Sequence, residues 1–382
     1  MMALTSGFGL PKMVEIDPTS GCNLRCKMCH MADMAESHKV NFLPYESLKS
    51  LSCLSAETFI KIGAVYEPII HPMFNHIYSL LSDYSRNIQL LSNFTTTSDR
   101  TIDIISDSPP ATVIVSFDGI RKETYESIRV RGKWQRTLDH VLALKNNIPA
   151  RSTLFACNSV MMRSNMGEIG EIVDFWDKND FDEIRLIPMV MRLKNIDLLA
   201  ESLFPVRREF ARLMDEAALD IINGKRRIVA RSIFFASSEL SKKYINNIKD
   251  DVVVSENKES SIIEMQHANL QIGEWDGMDF PCKSPFTFAR ITADADVFLC
   301  FNRKIGNLIE EDFSDIWFGK KANEWRQKIA KSSEICNVCT YYRFCMKPTV
   351  LDLENPEDYL DVNVKHYAEA LLQMEEDCTK PA

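Results

Sequence analysis

Three cysteines near the start of the chain have the residue type and spacing for metal chemistry. The segment Thr19-Ser20-Gly21-Cys22-Asn23-Leu24-Arg25-Cys26-Lys27-Met28-Cys29-His30 carries a Cys-x3-Cys-x2-Cys pattern. Three thiolates on one loop can hold three irons of a four-iron cluster. The fourth iron then keeps an open position, as catalytic metal sites do and closed structural sites do not. A zinc site needs a fourth ligand, and His30 abuts Cys29 too closely, since zinc ligands usually stand two or more residues apart. A second group comprises Cys282, Cys300, Cys336, Cys339 and Cys345, spaced Cys-x17-Cys, a gap of 35 residues, then Cys-x2-Cys-x5-Cys. The outliers Cys53, Cys157 and Cys378 read as structural thiols, which behave as small hydrophobes when buried.

Composition fits that chemistry. The 382 residues are 45% apolar and 26% charged, enough for one large globular domain and a smaller one. A net charge of −9 argues against nucleic-acid or anionic-membrane partners, which need a basic footprint. No apolar run reaches membrane length. Met1–Met13 lacks a basic then apolar leader, so the expected location is cytoplasmic. In a reducing compartment 11 cysteines point to metal or redox sites rather than disulfides.

The elements that must position these residues alternate along the chain. Strand patterns fall at 13–17, 58–62, 88–92, 112–117, 152–162 and 183–188, and helical patterns at 45–54, 72–82, 101–106, 134–146 and 166–178. Such alternation predicts parallel βαβ units with right-handed crossovers. About six repeats make a partial (β/α)6 TIM-like barrel. A helical bridge (205–223) and a polar linker (246–261) follow, then the second cysteine region and a last helix (356–376). The expected organisation is an α/β barrel core over 1–200, a bridge and linker over 201–275, a small α+β domain over 276–350, and a helix and tail over 351–382.

The cysteine loop after a first strand resembles the hallmark of the radical S-adenosylmethionine (radical SAM) superfamily. Gly63-Ala64-Val65-Tyr66-Glu67-Pro68 resembles the family's Gly-Gly-Glu-Pro motif without its second glycine. The resemblance implies that Glu67 receives the methionine amino group, as a carboxylate pairs with an ammonium. Ser92-Asn93-Phe94-Thr95 stands where the family has Thr-Asn-Gly, and Ser116-Phe117-Asp118-Gly119 where it has Ser-x-Asp-Gly. Asn93, Ser116 and Asp118 are thereby expected to touch ribose hydroxyls or the methionine carboxylate. Glu126-Ser127-Ile128-Arg129 with Gly132 resembles Tyr-x-x-Ile-Arg-Gly, so Arg129 is expected to grip that carboxylate bidentately. Asn158, Ser159 and Met189 fall at positions that face the adenine. As bare sequence, Glu67-Pro68 also fits a helix entry, Asp118-Gly119 a turn, and Arg129 a surface arginine.

The second cysteine group, with the hairpin pattern Thr292–Cys300 and the segments Ile305-Gly306-Asn307-Leu308 and Phe313–Trp317, resembles the auxiliary-cluster extension called SPASM, or its shorter relative called twitch. The full SPASM pattern has seven cysteines; this chain has five here, with Thr349 where the next is expected. The resemblance implies one auxiliary [4Fe-4S] cluster on Cys282, Cys300, Cys336 and Cys339, with Cys345 as spare or substitute ligand. Four cysteines also fit a structural zinc site. The implied cofactors are thus a [4Fe-4S] cluster on Cys22, Cys26 and Cys29, an auxiliary one, and S-adenosylmethionine. The implied activity is reductive cleavage of S-adenosylmethionine to a 5′-deoxyadenosyl radical. That radical abstracts a hydrogen atom from a small-molecule biosynthetic intermediate, giving oxidation (dehydrogenation) or epimerisation. Cys345, Cys157 and Cys378 are candidates for returning a hydrogen atom. The electron is expected from a reductant such as flavodoxin or ferredoxin. Only about a dozen residues precede the first strand, which favours a small molecule over a peptide substrate. A maturase acting on a ribosomally made peptide stays open, as does a non-catalytic iron–sulfur or zinc-binding protein.

Overall fold

The alternating apolar segments of the chain line up into one ten-stranded sheet in the computed structural model, which describes residues 9–29, 31, 39–191, 193–231, 284–300, 303–331 and 367–379. The strands are β1 (Met13–Ile16), β2 (Phe59–Ile62), β3 (Asn87–Ser92), β4 (Thr112–Ser116), β5 (Leu154–Met161), β6 (Glu183–Pro188), β7 (Val229–Arg231), β8 (Phe288–Ile291), β9 (Asp296–Phe298) and β10 (Lys304–Asn307). Their order is β10-β9-β8-β1-β2-β3-β4-β5-β6-β7. Strands β1 to β8 run parallel to their neighbours; β9 and β10 are antiparallel additions. The helices include α1 (Phe74–Tyr84), α2 (Asp99–Asp107), α3 (Lys122–Ile128), α4 (Trp134–Asn147), α5 (Ile169–Lys178), α6 (Arg207–Ile222), α7 (Phe313–Phe318), α8 (Lys320–Lys331) and α9 (Ala368–Thr379). Parallel strands joined through helices form an open, incomplete barrel of the α/β class.

Strand alternation divides the sheet into two faces. Val14, Ile16, Ile60, Ile62, Leu90 and Val115 belong to one buried apolar core with Ile77, Leu81, Ile105 and Trp176 of the helices. Their strand neighbours Glu15, Lys61 and Gln89 lie in register on the opposite, lumenal face. Aromatic side chains fill the helix side of β4. Phe117 packs against Tyr125 and Trp176 at ring distances of 4.3 and 5.4 Å, and each such pair adds to the gain from burial alone.

The strands foreseen at 13–17 through 183–188 form within one to two residues of their expected ends. Three features depart from expectation. First, α3 and α8 form where no periodic pattern was visible: α3 is a seven-residue helix, and α8 buries only a thin stripe that includes Ala322 and Ile329. Second, the hairpin expected at 292–300 begins one strand earlier, between β8 and β9, with Ala295 at φ 62° in the turn. Third, the C-terminal extension does not stand apart. Strand β8 pairs parallel with β1 in register Met13↔Phe288 to Ile16↔Ile291, so the sheet runs unbroken from barrel to extension. An uncovered β1 edge would leave a row of unpaired amides, and β8 covers it. The polar stretch 246–261 and the first part of the last helical pattern lie outside the described residues.

Candidate active site

The cysteine loop springs from the C-terminal end of β1. Thr19 bridges to Phe42, and the Gly21 amide donates to Thr19 Oγ1 at 3.1 Å. A Cβ on Gly21 would come within 2.7 Å of the Val40 side chain, which would have to shift. Arg25 ties the turn by donating to the carbonyls of Cys22 and Leu24, both at 2.7 Å. Cys26 sits in a two-residue antiparallel ladder opposite Arg129, and the Cys29 amide donates to the Cys26 carbonyl at 3.0 Å. Burial pushes the Cys22 thiol up to about 11 and the Cys26 thiol up to about 12. The charges of Cys22 and Cys29 also act on Cys26, so the three thiols are close neighbours. Yet among the described residues no three His, Cys, Asp or Glu side chains gather to hold a single metal ion. Metal must displace the thiol protons, so a bound cluster offsets the burial penalty.

The loop after β2 meets the cysteine loop directly. Gly63 has φ 79°, and a Cβ there would lie 2.5 Å from the Leu91 carbonyl oxygen. Glu67 caps the short helical turn Pro68–Ile70, and its carboxylate accepts from the Ile69 amide at 3.2 Å. It also accepts from Ser92 Oγ at 2.6 Å and the Asn93 amide at 2.7 Å. Its own amide donates to the Gly21 carbonyl at 3.1 Å. Burial raises the Glu67 carboxyl above its ordinary value, while these donors pull it down. The Asn93 side chain donates from Nδ2 to Asn23 Oδ1 at 3.0 Å and toward Cys22 Sγ at 3.8 Å. Glu67 and Asn93 thus brace the cysteine loop from the ends of β2 and β3.

Asp118 and Arg129 meet each other. Arg129 Nε lies 2.8 Å from Asp118 Oδ2, with side chains 7% and 0% exposed. The contact is a buried charge pair. Asp118 Oδ1 accepts the Val160 amide at 2.7 Å. Both charges act on Cys26, whose ladder partner is Arg129. Ser116 and Asn158 are in register on β4 and β5, and Asn158 Oδ1 is buried with no hydrogen-bond partner. Met189 is buried just past β6, its amide on the Met161 carbonyl at 2.9 Å. Cys157 belongs to the helix-facing core. Cys300 follows β9 and is half-buried. Cys282, Cys336, Cys339 and Cys345 lie outside the described residues, as does the side chain of Cys378.

Several supporting residues carry no motif and were not read from sequence. Asp17 accepts the amides of Ala64 and Val65. Glu168 takes the amides of Ile120 and Arg121 and the Thr124 hydroxyl, fixing the turn after β4. Asn165 donates to the carbonyls of Asp118 and Val160. Only Asp17 had a local signal, a carboxylate at a strand end directly before the cysteine loop.

Comparison with known proteins agrees with this geometry. Residues 16–175 match the radical SAM superfamily, and residues 282–340 match SPASM, an iron–sulfur cluster-binding domain. An AdoMet-dependent heme synthase of Methanosarcina barkeri is 24% identical over 174 residues, 44% of this chain and 47% of that protein, so the match spans about half of the relative's length. The structure of Streptococcus suis SuiB bound to precursor peptide SuiA superposes with a TM-score of 0.58 at 15% identity, covering 88% of this chain and 71% of that one. That of anSMEcpe with bound AdoMet gives a TM-score of 0.58 at 16% identity, over 96% and 95%. Native anSMEcpe with AdoMet and Cp18Cys peptide gives 0.57 at 16% identity, over 96% and 99%. At these identities the superpositions establish a common fold. Residues 16–175 are thus a radical SAM domain and residues 282–340 a SPASM-type extension, and the two domains imply iron–sulfur clusters and S-adenosylmethionine as cofactors.

Proposed function

We propose that this radical SAM enzyme removes a hydrogen atom from an unactivated C–H bond of a polar small molecule held on the lumenal face of the barrel. One observation carries the reading. Cys22, Cys26 and Cys29 stand on one loop past the end of β1 as half-buried neighbours, braced by Glu67, Asn93 and Arg129. In this reading the three cysteines hold the cluster and leave one iron open. When bound, the reduced cluster and S-adenosylmethionine supply the hydrogen-abstracting chemistry; the protein orients the partners and excludes water. The Gly63–Glu67 loop positions the methionine end. Ser116 and the unpartnered Asn158 Oδ1 receive polar groups deeper in the lumen. Asp118 keeps Arg129 fixed against Cys26. The outcome at carbon is dehydrogenation, or epimerisation with a thiol such as Cys345 returning a hydrogen atom. A flavodoxin- or ferredoxin-type protein supplies the electron.

The lumenal face supports a polar substrate, since Glu15, Lys61, Glu183 and Arg185 all stand on it. A second reading is modification of a peptide. It is favoured by the peptides bound in the SuiB and anSMEcpe structures, whose fold covers most of this chain. Anaerobic reconstitution tests the core proposal. Roughly eight irons per chain are expected for two four-iron clusters. Joint replacement of Cys22, Cys26 and Cys29 by alanine should remove about half the iron and abolish 5′-deoxyadenosine formation. Cleavage at the wild-type rate in that variant overturns the assignment.

A further inference from the structure

The C-terminal extension reaches the cofactor loop through one buried carboxylate. Arg290 lies on β8, inside the segment that matches the iron–sulfur extension. Its Nη2 donates to Asp17 Oδ2 at 2.8 Å, with side chains 14% and 2% exposed. The other oxygen, Asp17 Oδ1, accepts the amides of Ala64 and Val65 at 2.9 and 3.0 Å. Both oxygens of Asp17 are therefore committed, one to the extension and one to the loop. The Asp17 amide itself donates to the Ile291 carbonyl at 2.9 Å, and the Gly63 amide to the Ile16 carbonyl at 2.9 Å. A second tie runs alongside: Asp294 in the β8–β9 turn accepts Asn41 Nδ2 at 2.7 Å, and the Asn41 amide donates to Ser20 Oγ at 2.8 Å, two residues before Cys22. Tyr66 lies within electrostatic reach of Asp17, Arg290, Cys29 and Asp294, so these groups share one small region.

We propose that Asp17 is a positioning residue through which docking of β8 sets the conformation of the Ala64–Glu67 loop, so that Arg290, on the extension, controls affinity for S-adenosylmethionine. The mechanism is directional bonding. A carboxylate that accepts two backbone amides on one oxygen holds them only while its plane is fixed, and a charge-assisted bond from Arg290 to the other oxygen fixes that plane. Partners of this outer kind typically change ligand affinity or activity 10- to 100-fold. The inference rests on the reading of residues 63–67 as the methionine-binding loop.

The test uses reconstituted holoenzyme, with iron content and circular dichroism as checks. S-adenosylmethionine affinity is measured by equilibrium dialysis, and the electron paramagnetic resonance spectrum of the reduced cluster is recorded before and after adding it. Arg290→Gln should weaken affinity about 10-fold and diminish the spectral change, with N-terminal cluster iron retained. Arg290→Lys keeps the charge but loses the planar guanidinium that directs the Nη2 bond, and should recover part of the loss. Asp17→Asn keeps an acceptor for the loop amides, loses the charge pair, and should combine non-additively with Arg290→Gln, because both act on one contact. Unchanged affinity in Arg290→Gln, or fully additive losses, overturns the proposal. If Arg290→Gln does not fold, the same readout on Arg290→Lys decides: wild-type affinity there overturns the proposal. Gly63→Val separates the two layers of argument. If it weakens binding while Arg290→Gln does not, only the latch is wrong; if it also leaves binding unchanged, the loop assignment itself fails.

Discussion

Removing Asp118 should destabilise the barrel more than removing any exposed charge of the chain. The carboxylate is fully buried, pairs with Arg129 at 2.8 Å and accepts the Val160 amide. Asp118→Ala would leave a guanidinium that is only 7% exposed without its counter-charge, at a cost of about 3–5 kcal/mol. The lost bond to Val160 adds a stranded amide worth about 1–3 kcal/mol, and the two costs overlap because they share one residue. A loss near 4 kcal/mol is about a thousandfold in the folding equilibrium, a large part of the ~5–15 kcal/mol that holds typical domains together. Urea unfolding of the cluster-free chain under reducing conditions measures it. Trp176 is a local reporter, since its ring packs 5.4 Å from Phe117, the residue before Asp118. With a slope of about 3 kcal/mol/M, the midpoint should fall by more than ~1 M. The joint variant Asp118→Leu with Arg129→Met should recover most of the loss, because replacing both members of a buried pair is often neutral. A loss below about 1 kcal/mol in Asp118→Ala at unchanged slope would refute the assignment of a structural charge pair, and so would a joint variant as unstable as the single one.

Glu67→Gln keeps one acceptor oxygen but turns an amide toward the Ser92 hydroxyl or the Asn93 amide. It should cost about 1–3 kcal/mol by thermal melting and loosen the Asn93 contact to Cys22. Gly63→Ala places a Cβ 2.5 Å from the Leu91 carbonyl oxygen at φ 79°. The left-handed backbone alone costs about 1–2 kcal/mol, so a melting temperature equal to wild type would show that the loop relaxes freely. His71 supplies a pH dependence. Burial lowers its basicity against the pull of the Leu43 carbonyl; Nε2 faces that carbonyl at 3.1 Å, and Nδ1 accepts the Met73 amide at 2.9 Å. The neutral tautomer is thus built in, and the unfolded chain binds a proton that the folded chain refuses. Stability should fall as pH drops below the ordinary histidine value of about 6.5, and His71→Gln should flatten that slope in chemical-denaturation midpoints between pH 5 and 7.

What could be read from sequence was local. The spacing of Cys22, Cys26 and Cys29 is a covalent fact, and the strands at 13–17 through 183–188 announce themselves by β-branched, apolar runs. The partners of the motif residues were not legible, because they are set by strand register. Asp118 and Arg129 each looked like a cofactor contact, yet the register that places Arg129 opposite Cys26 and Ser116 beside Asn158 also brings the two charges together in the interior. The attachment of the extension was equally hidden, since nothing in Phe288–Ile291 distinguishes a strand that pairs with its own hairpin from one that also pairs with β1, some 270 residues earlier in the chain. That long-range pairing gives the site its logic. Lys61, Glu15, Arg290 and Asp17 alternate in sign across three adjacent strands, with contacts of 2.9, 3.5 and 2.8 Å. Had the extension docked elsewhere, Glu15 would keep only Lys61, and the buried Asp17 would lack its cation. The charges at this end of the lumenal face balance only with β8 in place, so the C-terminal segment supplies the cation that Asp17 and Glu15 share.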